Sequence, residues 1–120
     1  MTPVIDKPVR GSKSGRPLMV ALDLLGRRTT LRILWELQSG SLTFRALLDA
    51  CETNTRLLNT RLGELREVGL VDHAEGGYRL TEEGRKLGSA LKPLTQWADQ
   101  WGHRMRDQAK ADAAASDSAD

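Results

Sequence analysis

Apolar and polar residues recur along this chain with a helical period, broken once by a short alternating stretch. From Leu18 to Leu25 only Asp23 is charged. Leu18, Ala21, Leu22 and Leu25 form one stripe, and Val20 and Leu24 lie off it. A short helix that is apolar on both sides needs two partners, its own core and a second surface. Pro17 stands where a first helical residue tolerates proline, and Gly26 ends the segment. A second helix is expected from Thr29 to Ser39, with Leu31, Ile33, Leu34 and Leu37 apolar and Gly40 at its end.

The next helix runs from Phe44 to Ala50, with Thr43 as its cap and Phe44, Leu47 and Leu48 facing inward. Cys51-Glu52-Thr53-Asn54 then forms a turn, and Asn54 or Thr53 caps a fourth helix that Gly69 stops. The apolar face of that helix is Leu58, Leu62, Leu65 and Val68. Its other face carries Thr55, Arg56, Asn59, Thr60 and Gly63, a slim and partly cationic surface that suits a DNA groove. Val71 to Ala74 and Gly77 to Leu80 read as two strands joined through Glu75-Gly76-Gly77. The expected fold is mainly α with a small β-hairpin. Helix, tight turn, helix, hairpin is the order of a winged helix-turn-helix, whose commonest use is reading duplex DNA.

The last helix starts after Thr81, an N-cap followed by Glu82 and Glu83, and extends to Arg106. Leu80, Gly84, Leu87, Leu91, Leu94, Ala98, Trp101 and Met105 follow steps of four and three. This is a heptad-like seam over about three and a half heptads. Trp97 widens it, and Pro93 removes one hydrogen bond from it. Any long helix buries a stripe on its own domain. Yet Trp97 and Trp101 fall beyond the expected core, where an exposed apolar patch favours a covering partner. The expected dimer interface is therefore Leu18, Leu22, Leu25, Leu87, Leu91, Leu94, Trp97, Ala98, Trp101 and Met105, drawn from the N- and C-terminal helices.

Three divisions follow. Residues 1–16 read as a flexible basic arm, 17–106 as the winged-helix domain with its long dimerisation helix, and 107–120 as a disordered acidic tail. The arm carries Lys7, Arg10, Lys13 and Arg16 against Asp6, while the tail ends with Asp112, Asp117 and Asp120. Net charge over 120 residues is only +2, so its distribution says more than its sum. Aromatics make up 4%, so the core is built mainly from leucine. One cysteine, Cys51, excludes an internal disulfide and a multi-thiolate zinc site, and fits a reducing cytoplasm. No stretch approaches the ~20 apolar residues of a membrane span, and no apolar run follows the early positive charges as in a signal peptide. No paired acids, no nucleophile with a base and no phosphate loop points to an enzyme, a cofactor or a metal.

From Pro17 to Trp97 the chain resembles the HxlR-type branch of the MarR-like winged-helix transcriptional regulators. The resemblance rests on Ala21-Leu22-Asp23-Leu24-Leu25-Gly26, Ile33-Leu34 with Glu36-Leu37, and the Arg56, Leu58, Arg61-Leu62, Leu65 spacing. It closes with Glu67-Val68-Gly69-Leu70-Val71 and Tyr78-Arg79-Leu80-Thr81-Glu82-Glu83-Gly84. It implies a small dimeric regulator on a pseudo-palindromic operator, joined through its terminal helices, and leaves room for an unknown small-molecule effector. Three departures stand out. Arg16 replaces the cysteine that such proteins often carry before the opening proline, so thiol sensing there is not available. Thr29 stands where tryptophan is usual. The wing is short, with only Glu75-Gly76-Gly77 between its strands.

As a DNA reader, the helix from Thr55 would enter the major groove. Arg56 is the first choice for a base contact, because arginine can bond guanine with two donors. Asn59 suits adenine, and Thr60 a thymine methyl or a phosphate. Asn54 and Thr55 sit at the helix start, where backbone N–H groups also attract phosphate. Arg61 either reaches the DNA backbone or pairs with Glu64 or Glu67. Thr43 and Arg45 open the preceding helix and could meet phosphates, although Thr43 also reads as a plain cap. Arg79 and His73 are the available wing groups, each also readable as a solvated strand residue. Cys51 reads as a small buried hydrophobe or as an oxidant sensor. The competing reading is a winged helix that binds proteins and not DNA.

Overall fold

The computed structural model describes residues 2–118; Met1, Ala119 and Asp120, the outermost residues of the expected arm and tail, lie outside the described residues. Two compact units emerge, one up to Gly88 and one from Ser89 onward. The first holds helices α1 (Pro17–Leu25), α2 (Thr30–Glu36), α3 (Phe44–Ala50) and α4 (Thr55–Glu67), strands β1 (Val71–Ala74) and β2 (Gly77–Leu80), and the start of α5 (Glu82–Ser118). The second unit is the remainder of α5.

Both strands take the bounds expected from sequence. They pair antiparallel, with Val71 opposite Leu80 and Ala74 opposite Gly77. Leu42 adds a bridge to the outer side of β2, exchanging two backbone hydrogen bonds with Tyr78 at 2.9 and 2.8 Å. With α3 and α4 ahead of this hairpin, the first unit is a winged helix-turn-helix.

The core is leucine-rich, as the composition required. Ile33, Leu47, Leu58, Leu62 and Leu65 are each at most 1% exposed, and Tyr78, Val71 and Leu80 cover them from the hairpin. Burying one such side chain contributes about 2 kcal/mol relative to leaving it in water. The α1 helix settles an ambiguity. Val20 and Leu24 point into the core, while Leu18 and Leu22 are 69% and 51% exposed. Of the stripe read from the sequence, Leu18 and Leu22 face outward, while Leu25 packs against the core. The α2 helix follows Thr29, whose φ is 78°, and its last turn tightens into a 3₁₀ turn, Leu37–Ser39.

The end of α4 carries a Schellman closure. Gly69, at φ 80°, donates to the Arg66 carbonyl at 3.1 Å, and Leu70 donates to the Leu65 carbonyl at 2.9 Å. Thr81 joins this corner to α5. Its hydroxyl donates to the Gly69 carbonyl at 2.6 Å and accepts from the Gly84 N–H at 3.1 Å.

Residues 2–16 differ from the flexible arm expected. They form a turn-rich strap: the Asp6 N–H donates to the Gly15 carbonyl, Val9 and Ser12 bond each other both ways, and Pro3 is buried. The Thr2 hydroxyl donates to the Glu67 carboxylate at 2.6 Å. These are mostly backbone bonds, which apolar periodicity does not register. Gly15 is required there, since a Cβ would collide with the Lys7 backbone. The far end also differs. Helix α5 continues past Arg106 to Ser118, where disorder was expected. Its alanines are strong helix formers without an apolar face, and the Gln108 side chain donates to Asp112 one turn on at 2.9 Å.

Candidate nucleic-acid interface

Two capped helices and the turn between them build the candidate surface. The Thr43 hydroxyl accepts from the Ala46 N–H at 3.1 Å, and the Asn54 side chain accepts from the Leu57 N–H at 2.8 Å. Each oxygen satisfies one of the unpaired N–H groups at its helix start. Glu52, at φ 51°, lets the chain reverse between the helices.

The α4 helix then divides sharply. Leu58, Leu62 and Leu65 are 0 to 1% exposed. Thr55, Arg56, Asn59, Thr60 and Gly63 all face solvent. The Thr60 hydroxyl donates to the Arg56 carbonyl at 3.0 Å. Among the described residues, no ion pair engages the guanidinium of Arg56 or Arg45. Thr43, Arg45, Asn54, Thr55, Arg56, Asn59 and Thr60 are each exposed.

Arg61 is placed differently. Its side chain is 17% exposed and donates to the Glu64 carboxylate at 2.8 Å and to the Arg28 carbonyl at 2.8 Å. Of the two readings open from sequence, the side chain makes the pairing with Glu64. Glu64 is itself buried and also accepts from Arg27, which reaches on to Asp23 at 3.4 Å. Arg27 was not singled out in the sequence. Its partner lies 37 positions away, so no local spacing signals the pair.

The hairpin offers little reach. Arg79 lies across from Asp72 and pairs with it at 3.3 Å, both largely exposed. His73 stacks on Tyr78 with ring centroids 4.1 Å apart. Cys51 is buried, which pushes its thiol pKa up; the Glu36 charge adds to the rise and Arg32 opposes it.

The expected dimer residues separate by unit. Leu25 and Leu87 are half-buried against the core of the first unit, while Leu18 and Leu22 face out. In the second unit Leu94, Trp97, Trp101 and Met105 are each about half exposed, Ala98 is exposed and Leu91 is half-buried. Trp97 and Trp101 stack on each other at 5.6 Å between centroids. Among the described residues, no cluster of three or more His, Cys, Asp or Glu could hold a metal ion, and no helix is long and apolar enough to cross a membrane.

Comparison with known proteins places these features in context. The uncharacterized HTH-type transcriptional regulator Rv3095 of Mycobacterium tuberculosis is 40% identical over 88 residues, covering 68% of this chain. The chain spans about half the length of that relative, 56% of it. The crystal structure of quinone-bound YodB from B. subtilis aligns with a TM-score of 0.66 at 29% identity, over 70% of this chain and 97% of that one. A possible HxlR family transcriptional factor from Thermoplasma volcanium aligns with a TM-score of 0.62 at 28% identity, over 69% of this chain and 82% of that one. Residues 24–106 match the family described as HxlR-like helix-turn-helix. On that match, which takes in both capped helices, the hairpin and most of α5, the chain belongs to the HxlR-like helix-turn-helix family.

Proposed function

We propose that this protein is a sequence-specific DNA-binding regulator of transcription that acts as a homodimer on a pseudo-palindromic operator and is not an enzyme. The observation that carries this is the two-faced α4: its leucines are fully buried, and its opposite face is polar, exposed and headed by the unpaired Arg56. A helix with that division fits a major groove about 12 Å wide. Arg56, Asn59 and Thr60 read bases, while Asn54, Thr55, Thr43 and Arg45 meet the backbone. Arg79 gives the wing its one candidate contact. Arg61 is reserved for the fold.

Dimerisation supplies the second reading helix, about 34 Å from the first. The half-exposed leucine and tryptophan stripe of α5 and the outward leucines of α1 support it. The quinone-bound state of YodB supports an effector-controlled regulator.

A gel shift with the chain's own upstream DNA at two salt concentrations tests the reading. Specific binding that weakens with salt is the expected result. The short wing, with Arg79 tied to Asp72, is the one observation that favours a protein-binding winged helix instead. In that case Arg56→Ala and Asn59→Ala leave the phenotype intact, while changes in the α5 stripe abolish it.

A further inference from the structure

A half-open pocket of about 410 Å³ lies on the first unit, and Leu25 and Leu87, two residues expected at the dimer interface, are part of its lining. The strap forms its roof through Pro3 and Ile5, and Val20 and Ala21 of α1 line another wall. Val68 and Leu70 line the side next to the end of α4. Among the described residues Glu83 is the one charged residue that borders it; its side chain is 70% exposed and pairs with Lys86 at 3.3 Å. Nothing in the lining therefore asks for a charged ligand. An apolar cavity of ~150 Å³ takes a benzene ring, and this one is larger by a factor of two to three. Ligand sites commonly fall in the range of ~300–1,000 Å³.

We infer that this pocket binds a neutral, largely apolar molecule of two to three rings. Its roof precedes the residues 24–106 that match the family, so the site is built in part from a segment outside that match. Its placement also gives it a lever. Val68 is the last residue of the α4 turn, and the Leu70 N–H closes that helix on Leu65. Thr2, beside the roof, bonds Glu67 of the same helix. A ligand wedged between strap and helix end therefore changes how α4 is held. That coupling rests on the proposed DNA reading; the binding itself does not.

Titration of the full chain with N-phenyl-1-naphthylamine, a neutral fluorophore that brightens in apolar surroundings, tests the site. Saturable binding of one molecule per chain is expected. Ala21→Phe, which puts a phenyl ring into the pocket, should weaken it by about tenfold or more. Ile5→Ser, at the exposed roof, should weaken it without threatening the fold, and circular dichroism checks both variants. Trp35→Ala, which removes an exposed ring away from the cavity, should leave it unchanged. Absence of saturable binding overturns the proposal. So does binding lost in Trp35→Ala but kept in Ala21→Phe and Ile5→Ser. So does binding that falls as protein concentration rises, because a second copy then fills the cavity. In a gel shift, saturating fluorophore should change DNA affinity roughly fivefold. Intact fluorophore binding with unchanged DNA affinity overturns the coupling. Intact fluorophore binding with no DNA binding at all sinks the regulator reading and leaves the cavity site standing.

Discussion

Arg27, in the loop after α1, donates to the buried carboxylate of Glu64 in the last turn of α4. Glu64 also holds Arg61, so one carboxylate bonds two arginines and ties α4 to the loop after α1, with Asp23 as the second acid of the cluster. Removing one partner of such a cluster strands the others. Glu64→Ala should lower stability by about 3 kcal/mol, read from urea unfolding. A loss under 1 kcal/mol, within the range of a surface ion pair, would show that solvent already screens the cluster.

Arg56 has no such obligation. Arg56→Ala should leave thermal stability unchanged and weaken operator binding by about 1–3 kcal/mol, measured by titration of labelled DNA at fixed salt. The preference at one base position should relax with it. A uniform loss across sequences would instead assign Arg56 to a phosphate.

Gly63 lies on the exposed face of α4 with open space where a Cβ would go. Gly63→Ala should stabilise the free protein by about 1 kcal/mol. If DNA approaches this face closely, the same variant binds it less tightly. A melting curve and a binding curve on one variant read the two effects separately, and a stabilised protein with undiminished affinity would place the DNA farther from Gly63.

Much of this was legible in the sequence. The polar face of α4 was readable because its leucines recur at helical steps, and both strands were readable because glycines mark their turn. Which side of α1 faces inward was not, since both sides are apolar and periodicity cannot choose between Leu22 and Leu24. The role of Arg61 was half legible: Glu64 stands three residues on, but the Arg28 carbonyl reaches Arg61, and Arg27 reaches Glu64, only in three dimensions. The strap escaped notice because its bonds join backbone atoms of Asp6 and Gly15.

Trp97 and Trp101 stack along the exposed stripe of α5. The double change Trp97→Ala and Trp101→Ala should shift a dimer toward monomer in sedimentation equilibrium, by about tenfold or more in dissociation constant. Helix content should barely change. A dimer of undiminished strength would move the interface elsewhere.

Cys51 should react slowly. Burial raises its pKa, so the folded chain holds the thiol proton more tightly than the unfolded one. The resulting stability is full below the ordinary thiol range and is lost as pH rises through the raised value. Alkylation by iodoacetamide near pH 8 should be much slower in buffer than in urea. Equal rates would restore the oxidant-sensor reading.

The bond from Thr2 to Glu67 has a practical side. An affinity handle fused ahead of the first residues would press on the very corner where α4 ends, and could change binding behaviour on its own. Purification tags belong at the opposite terminus, and any protein prepared otherwise should be assayed after the handle is cleaved.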